Sequence, residues 1–575
     1  MVKLCSTVLI VFNSLTTAIC NLSPTVLPLA KLDWAATRIK HIFDNDLIYI
    51  DKTYFAFILI TDDDAQVCLL RPRQFGKSLF LDTLKEILEG NKELFKNYYI
   101  GKTNYAWKKH IVLIFDFSLF SLEEEGDLGK KLSQELFKMA TINGVCIIGE
   151  DFDDLLKDLL LALSNKIDYS TFHGIAVLID EYDAQIVRHL GNPSLSENIF
   201  QKMNSFFSIL KSHSDIINFT YVTGVSNFAL FSTGSGPNHI TDISLQPRYA
   251  TALGYTEDEI KKHFSKYIHH MAKTRSQTGD KVVTDQNILK EMHTWYEGYF
   301  FSEDTSPQKS IFNPCSITQY FLHGRIKNTW STKERAQLLR HEFQKQSLDV
   351  VLQTCYITPK IIDEVTLESG SDISNIKLLP LFYYHGYFSI KEYYKNQTYC
   401  LDFPNLEVKH AFDKEIDLAV EDWKYEITNL KSCLEISDLE QFFRTLNSIF
   451  LNVPSKLYDV DSTEKAFHMA IQVLLTAADI PAKSEYTCSL GTPDIVVELK
   501  STVIIFELKM ARGHKNAADI ALNQAREKKY ANLFFNKEKN VTVVGVSINT
   551  SLREICWKAE YYLDNGEQID PLASL

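Results

Sequence analysis

Arg71-Pro72-Arg73-Gln74-Phe75-Gly76-Lys77-Ser78 is the stretch whose reading decides the fold. It follows Gln66-Val67-Cys68-Leu69-Leu70, an apolar run of strand length. It precedes Leu79–Leu88, whose leucines recur at helical spacing. Strand, tight loop ending Gly-Lys-Ser, and helix is the context of a phosphate-binding loop. Loop amides and the helix N-terminus would face the anion. Gly76 counts with the cofactor-binding residues of this loop, Lys77 would neutralise the terminal phosphates, and Ser78 would reach a magnesium ion. The glycine that normally stands five residues before Gly76 is Arg71 here, so the loop alone reads as degenerate.

Further along, Gly174-Ile175-Ala176-Val177-Leu178-Ile179 reads as a buried strand ending in Asp180-Glu181-Tyr182-Asp183. An acidic strand end alone is an ordinary solvated turn. Paired with a Gly-Lys-Ser loop, it becomes the second half of an ATPase site. Asp180 would hold the magnesium and Glu181 would orient and deprotonate the attacking water. Thr223 ends the strand Phe219–Gly224 and is placed either as a sensor of the terminal phosphate or as a plain strand end. Ile111–Phe117 is a further apolar strand. Strands alternating with helical stretches such as Phe152–Leu163 and Glu197–Lys211 predict a parallel sheet wrapped by helices, an α/β fold.

Composition sets limits on the rest. With 575 residues, about two to four domains are expected. Sixty Lys and Arg against 73 Asp and Glu give a net charge of -13, which excludes a whole-surface nucleic-acid binder and confines such contact to a patch. The ten cysteines form no CxxC pair, so neither a structural zinc nor a disulfide scaffold is expected. At the N-terminus, Leu4–Phe12 is apolar after Lys3 and resembles a secretory signal, or else an apolar extension or a misassigned start. It is too short to span a bilayer, and no transmembrane helix is expected elsewhere. The location expected is cytoplasmic, with secretion through the leader as the alternative.

The second chemical centre is C-terminal. Glu464 opens a helical stretch, a strand follows near Ser484–Ser489, and then come Gly491-Thr492-Pro493-Asp494 and Val503-Ile504-Ile505-Phe506-Glu507-Leu508-Lys509. Residues two apart on a strand share a face, so Glu507 and Lys509 stand together while Leu508 points into the core. A hairpin would bring Asp494 beside Glu507. Two carboxylates suit magnesium, with Glu464 as a further acid. Such a site activates water for phosphodiester hydrolysis, and Lys509 would position that water or stabilise the pentacovalent phosphate. A helix is predicted over Ala517–Ala531 and a last strand at Val541–Val546. The cluster Lys500, Lys509, Arg512, Lys515, Arg526, Lys528 and Lys529 either attracts phosphates or is a solvated helix face.

These motifs, together with Tyr49–Thr53, Gly254–Glu259, Trp295–Tyr299, Asn313-Pro314, Gly386-Tyr387 and Pro404-Asn405, occur in one order. In that order the chain resembles the AAA-ATPase-like proteins that end in a PD-(D/E)XK nuclease-superfamily domain. The family's own loop is Arg-Pro-Arg-x-Phe-Gly-Lys-Ser, so Arg71 is expected and Arg73 joins the cofactor-binding residues. The expected division is a leader or apolar extension at 1–27, a P-loop domain at 28–255, a helical lid or spacer at 256–425 and a nuclease-like α/β domain at 426–575, with the resemblance covering about 28–560. The resemblance implies ATP binding and a nuclease-like fold, and by itself it implies turnover at neither site; with the acidic residues above, the expected cofactors are ATP and Mg2+ and the expected partner is nucleic acid, DNA ahead of RNA, with a homo-oligomer left open. Arg248 stands where an arginine finger would come. Two departures are visible: Thr492-Pro493 lacks the family's arginine before Asp494, and 231–238 disturbs a Leu-Asn-Asn pattern. The alternative reading is a nucleotide-gated interaction or effector protein whose nuclease-like fold is an inactive binding module.

Overall fold

The chain is described here from a computed structural model, which covers residues 29, 31–61, 66–120, 122, 128–168, 170–227, 239–278, 282–302, 310–330, 360–368, 377–394, 396–419, 429–451, 464–484, 491–511, 516–549 and 554–569. The leader, the 231–238 stretch, Arg512 and Lys515 lie outside these residues.

Five strands form the first sheet: β1 (Gln66–Leu70), β2 (Lys109–Asp116), β3 (Phe172–Asp180), β4 (Ile217–Gly224) and β5 (Thr241–Asp242). They pair in the order β2-β3-β4-β1-β5, all parallel. A parallel sheet covered on both faces demands continuous apolar strands, and Gly174 through Asp180 is buried throughout. Helices Lys77–Leu88, Leu128–Asn143, Phe152–Lys166 and Pro193–Ser212 surround it. Two of these have side-chain caps, Asp151 on Asp154 N and Asn192 on Leu195 N. Because β4 lies between β1 and β3, the phosphate loop after β1 and the acidic turn after β3 flank the end of one strand.

The middle region is more than helices. Besides Glu257–His263, Ser265–Thr278, Asp285–Tyr296, Pro314–His323 and Leu378–Tyr384, it carries a three-stranded antiparallel sheet that the sequence reading did not anticipate. Its strands are β6 (Lys360–Asp363), β7 (Ser389–Tyr394) and β8 (Thr398–Asp402), paired β6-β8-β7. One hydrophobic cluster joins β1 and β3 to Tyr299, Phe301, Tyr387 and Phe412. That part of the middle region therefore shares its core with the first sheet, whereas the helices from Glu257 to His323 pack on a separate cluster that includes Ile260, Met292 and Phe321.

The remaining strands are β9 (Ala482–Ser484), β10 (Ile495–Glu498), β11 (Thr502–Ala511), β12 (Asn540–Asn549), β13 (Glu554–Tyr562) and β14 (Gln568–Ile569), ordered β14-β13-β12-β11-β10-β9. The pair β10–β11 is antiparallel and β11–β12 parallel, with helix Ala518–Glu527 making the crossover. The predicted helix to Ala531 stops early because Lys529 adopts a left-handed φ of 53°, after which Tyr530–Leu533 is a single 3-10 turn. Leu430 through Ile555 build a separate core. Among the described residues no helix is long and apolar enough to cross a membrane.

Candidate functional sites

The phosphate loop opens into a cavity of about 280 Å³. Gly76, Lys77, Ser78 and Glu181 line it, together with Trp34, Tyr49, Leu253, Tyr255 and Thr318. Gly76 has φ 89°, in the region that favours glycine, and a Cβ there would meet nothing within 4 Å. The glycine thus permits the turn, and the space in front of it belongs to the cavity. The helix Lys77–Leu88 starts at this point with no acidic residue in its first turn. Its N-terminal amides favour an anion there.

Lys77 is buried, with Nζ 3.2 Å from Glu181 Oε1 and 3.4 Å from the Pro72 carbonyl. Glu181 has φ 48°, a rare value for a side chain with a Cβ. Burial alone would raise its carboxyl, but Lys77 and Arg73 together hold it below the ordinary value. Asp180 is buried beside Ser78, whose hydroxyl favours its charged form. Burial first, and the charge of Glu181 second, push Asp180 up to about 6. Its Oδ1 has no hydrogen-bond partner among the described residues. A buried carboxylate oxygen left in that state is costly, and a hard cation shared with Ser78 would satisfy it. The donor set fits Mg2+.

Of the other expected ligands, one stays beside the acidic turn and one turns elsewhere. The Arg73 carbonyl receives Asn313 Nδ2 at 3.5 Å, and its guanidinium charge acts on Glu181. Thr223 is fully buried and its Oγ1 donates to Leu69 O at 2.8 Å, which ties β4 to β1. Arg248 is exposed in the turn Pro247–Tyr249.

Arg71, in the place of the missing glycine, is a staple. It is buried, Nη1 donates to Leu70 O at 2.7 Å and Ser244 O at 2.8 Å, and Nη2 donates to Tyr249 O at 2.9 Å. Its guanidinium lies 4.3 Å from the Phe301 ring centroid. Burial lowers its pKa to about 10.

The scattered motifs also have local causes. Lys52 donates to both Glu259 oxygens at 2.7 and 2.9 Å, and Glu259 closes a capping box with Thr256. Asn313 caps the helix Pro314–His323. Gly298 passes the Pro404 carbonyl so closely that a Cβ would lie 2.2 Å from it. Sequence reasoning assigned no role to Asp116, yet it stands in register beside Asp180, and its charge adds to the rise there. Its position at a strand end next to a second acidic strand end was the available signal.

In the C-terminal sheet, β10 and β11 pair Ile495 with Phe506, so one further step sets Asp494 opposite Glu507. Asp494 Oδ2 accepts the Leu508 amide at 2.8 Å, which fixes the acid against β11. Leu508 is fully buried in the core, as strand alternation requires, and Glu507 and Lys509 share the other face. Glu507 is 1% exposed and accepts a hydrogen bond from Gln524 Nε2. The reason lies at Gly545, the partner of Glu507 on β12. A Cβ on Gly545 would sit 2.3 Å from Ala518 O, so only glycine lets the helix approach closely enough for Gln524 to reach across. Two adjacent carboxylates with an amide behind them fit one hard cation. Among the described residues no group of three or more His, Cys, Asp or Glu could hold a metal. Glu464 opens the helix Glu464–Ala477, and its side chain lies outside the described residues. The basic cluster is partly neutralised, since Arg526 pairs with Glu560.

Residues 35–233 match the family described as "Predicted AAA-ATPase", and residues 462–558 match the PD-(D/E)XK nuclease superfamily. The chain thus carries an AAA-ATPase-like domain followed by a nuclease-superfamily domain, each on the sheet that bears the acidic residues just described. It is also 25% identical over 529 residues to the "Uncharacterized protein in vnfD 5'region" of Azotobacter chroococcum mcd 1, across 89% of this chain and 95% of that protein.

Proposed function

We propose that the chain binds and hydrolyses ATP at the phosphate loop and cleaves nucleic acid, DNA ahead of RNA, at the C-terminal carboxylates. The observation that carries the first half is the buried Asp180, with an unsatisfied oxygen beside Ser78 and with Lys77 and Glu181 lining the adjoining cavity. Lys77 would draw the terminal phosphates. Glu181 would accept the proton of the attacking water, a role that suits a carboxyl held in its ionised form. In the resting arrangement Lys77 and Glu181 neutralise each other, so a phosphate that takes Lys77 also frees the base.

At the second site, Asp494 and Glu507 would hold Mg2+, which supplies charge stabilisation and a lowered water pKa when bound. Lys509, on the same strand face, would steady the attacked phosphate. Gln524 holds Glu507 in place.

The test combines two assays on the full chain. ATP binding and hydrolysis are measured for wild type and Lys77→Ala, and Mg2+-dependent cleavage of DNA and RNA for wild type, Asp494→Ala and Glu507→Ala. The proposal expects loss in each variant; cleavage unchanged in both C-terminal variants refutes the nuclease half. A second reading draws on the core that part of the middle region shares with the first sheet. It makes the chain a nucleotide-gated interaction protein, and ATP binding with no cleavage of either nucleic acid by the wild type selects it.

A further inference from the structure

The corner His385-Gly386 ends the helix Leu378–Tyr384 and touches both halves of the nucleotide site. On one side, His385 Nε2 and Ser226 Oγ lie 2.8 Å apart, both buried. Ser226 belongs to the turn that leaves β4. The amides of Val225 and Ser226 donate to the two Asp183 oxygens at 3.1 and 2.6 Å. Gly224 makes room for this, since a Cβ there would stand 2.6 Å from Asp183 Oδ1. Tyr182 fastens the same turn through its hydroxyl on Ser226 O at 2.6 Å and its amide on Thr223 O at 3.2 Å. Asn227 adds a parallel tie, with Nδ2 donating to Glu368 O at 3.0 Å and to the Tyr384 hydroxyl at 3.1 Å. On the other side, Gly386 has φ 81° and packs on Pro72 of the phosphate loop, where a Cβ would come within 2.8 Å of Pro72 Cβ.

Tyr182 and Asp183 directly follow Glu181, whose left-handed backbone has to be held by its surroundings. The residues that hold it are bonded to the Ser226 turn, and that turn is bonded to His385. The arrangement is a chain of direct contacts from the candidate base to the middle region, with no solvent-exposed link.

We infer that Ser226 and His385 are positioning residues for Glu181, and that their hydrogen bond couples nucleotide occupancy to the middle region. This rests on the nucleotide reading above. A phosphate that draws Lys77 from Glu181 shifts the acidic turn. The shift reaches His385 through Asp183 and Ser226, and then the Tyr387–Trp330 ring pair, whose centroids lie 4.6 Å apart. Hydrolysis depends on the coupling because Glu181 has to face the water. Nucleotide affinity feels it only weakly, because neither Ser226 nor His385 lines the cavity.

The experiment uses the full chain and four variants: Ser226→Ala, His385→Ala, His385→Gln and the double alanine variant. Affinity for a fluorescent ATP analogue, steady-state ATP hydrolysis, and amide exchange over residues 378–390 with and without the analogue are measured. Each alanine variant is expected to lower kcat about tenfold, the worth of one buried hydrogen bond, with affinity changed by less than about twofold. The exchange response to the analogue is lost in both. His385→Gln, which keeps a polar atom near Nε2, recovers most of kcat and of the response. The double variant is no worse than the worse single one, because both remove the same bond. Ser226→Ala deletes a single oxygen and decides the matter if His385→Ala melts early. Parallel losses of affinity and kcat, multiplying losses in the double variant, or His385→Gln as poor as His385→Ala overturn the inference. A wild type that binds the analogue with unchanged exchange overturns it alone. A wild type that does not bind overturns the nucleotide reading as well.

Discussion

Arg71→Gly is the most informative substitution in the phosphate loop, because two arguments predict opposite results. By sequence pattern it repairs the loop, placing glycine where phosphate loops usually have one. By structure it removes a staple. Three carbonyls, Leu70 O, Ser244 O and Tyr249 O, lose a charged donor at 2.7 to 2.9 Å, in a place water does not reach. Each bond to a charged group is worth about 1.5–3 kcal/mol, and the desolvation of the guanidinium takes back much of the sum. Removing the donor leaves three buried neutral carbonyls short of a partner at about 1–3 kcal/mol each, and after the relief of the buried charge the net loss is about 3–5 kcal/mol. The freed backbone at 71 adds about 0.5–1 kcal/mol. Thermal unfolding should therefore begin roughly 10 °C lower than in wild type. Nucleotide affinity should fall with it, since the staple anchors the end of β1 from which the loop departs. Arg71→Lys, with one point charge for three carbonyls, should fall between the two. Calorimetry with and without ATP reads both quantities. A glycine variant that melts within about 2 °C of wild type, or that binds ATP more tightly, would falsify the staple.

Three further outcomes follow from the same geometry. Asp180 is raised from 3.8 to about 6, so between those values the folded chain keeps a proton that the unfolded chain releases; this contribution to stability is present at low pH and disappears as pH rises through about 6. Mg2+ competes with that proton, so its affinity in the presence of ATP should drop about tenfold per unit below pH 6 and level off above, and titration calorimetry showing no change from pH 5 to 7 would contradict this. Gly386→Ala should cost about 1–3 kcal/mol, through its left-handed φ and its contact with Pro72, and a chemical unfolding midpoint equal to wild type would count against it. Glu507→Gln should abolish Mg2+-dependent cleavage while leaving stability unchanged or raised, because it removes a buried charge; a lower melting temperature would indicate that the carboxylate is structural instead.

Much of the chemistry is legible in short windows. Gly76-Lys77-Ser78 after an apolar strand, Asp180-Glu181 at the end of another, and Glu507-x-Lys509 across from Asp494 are local patterns, and local patterns follow from strand alternation and turn geometry. The first and the C-terminal sheets, with their helices, were readable for the same reason, while the small antiparallel sheet between them was not. What needed the tertiary structure was partnership over long separations. Arg71 meets Tyr249, Ser226 meets His385, and Arg73 meets Asn313, each more than a hundred positions away. Thr223 looked toward the phosphate by its place at a strand end, but its hydroxyl is bonded across to Leu69, because a buried donor takes the nearest backbone acceptor. Part of the apparent spacer after residue 255, from Trp330 to Phe412, shares its core with the first sheet while the helices before it keep a cluster of their own, since apolar spacing shows which face of an element is buried but not against what. The sequence by itself determined which residues can do chemistry; packing alone decided which of them face a cavity and which hold the others in place.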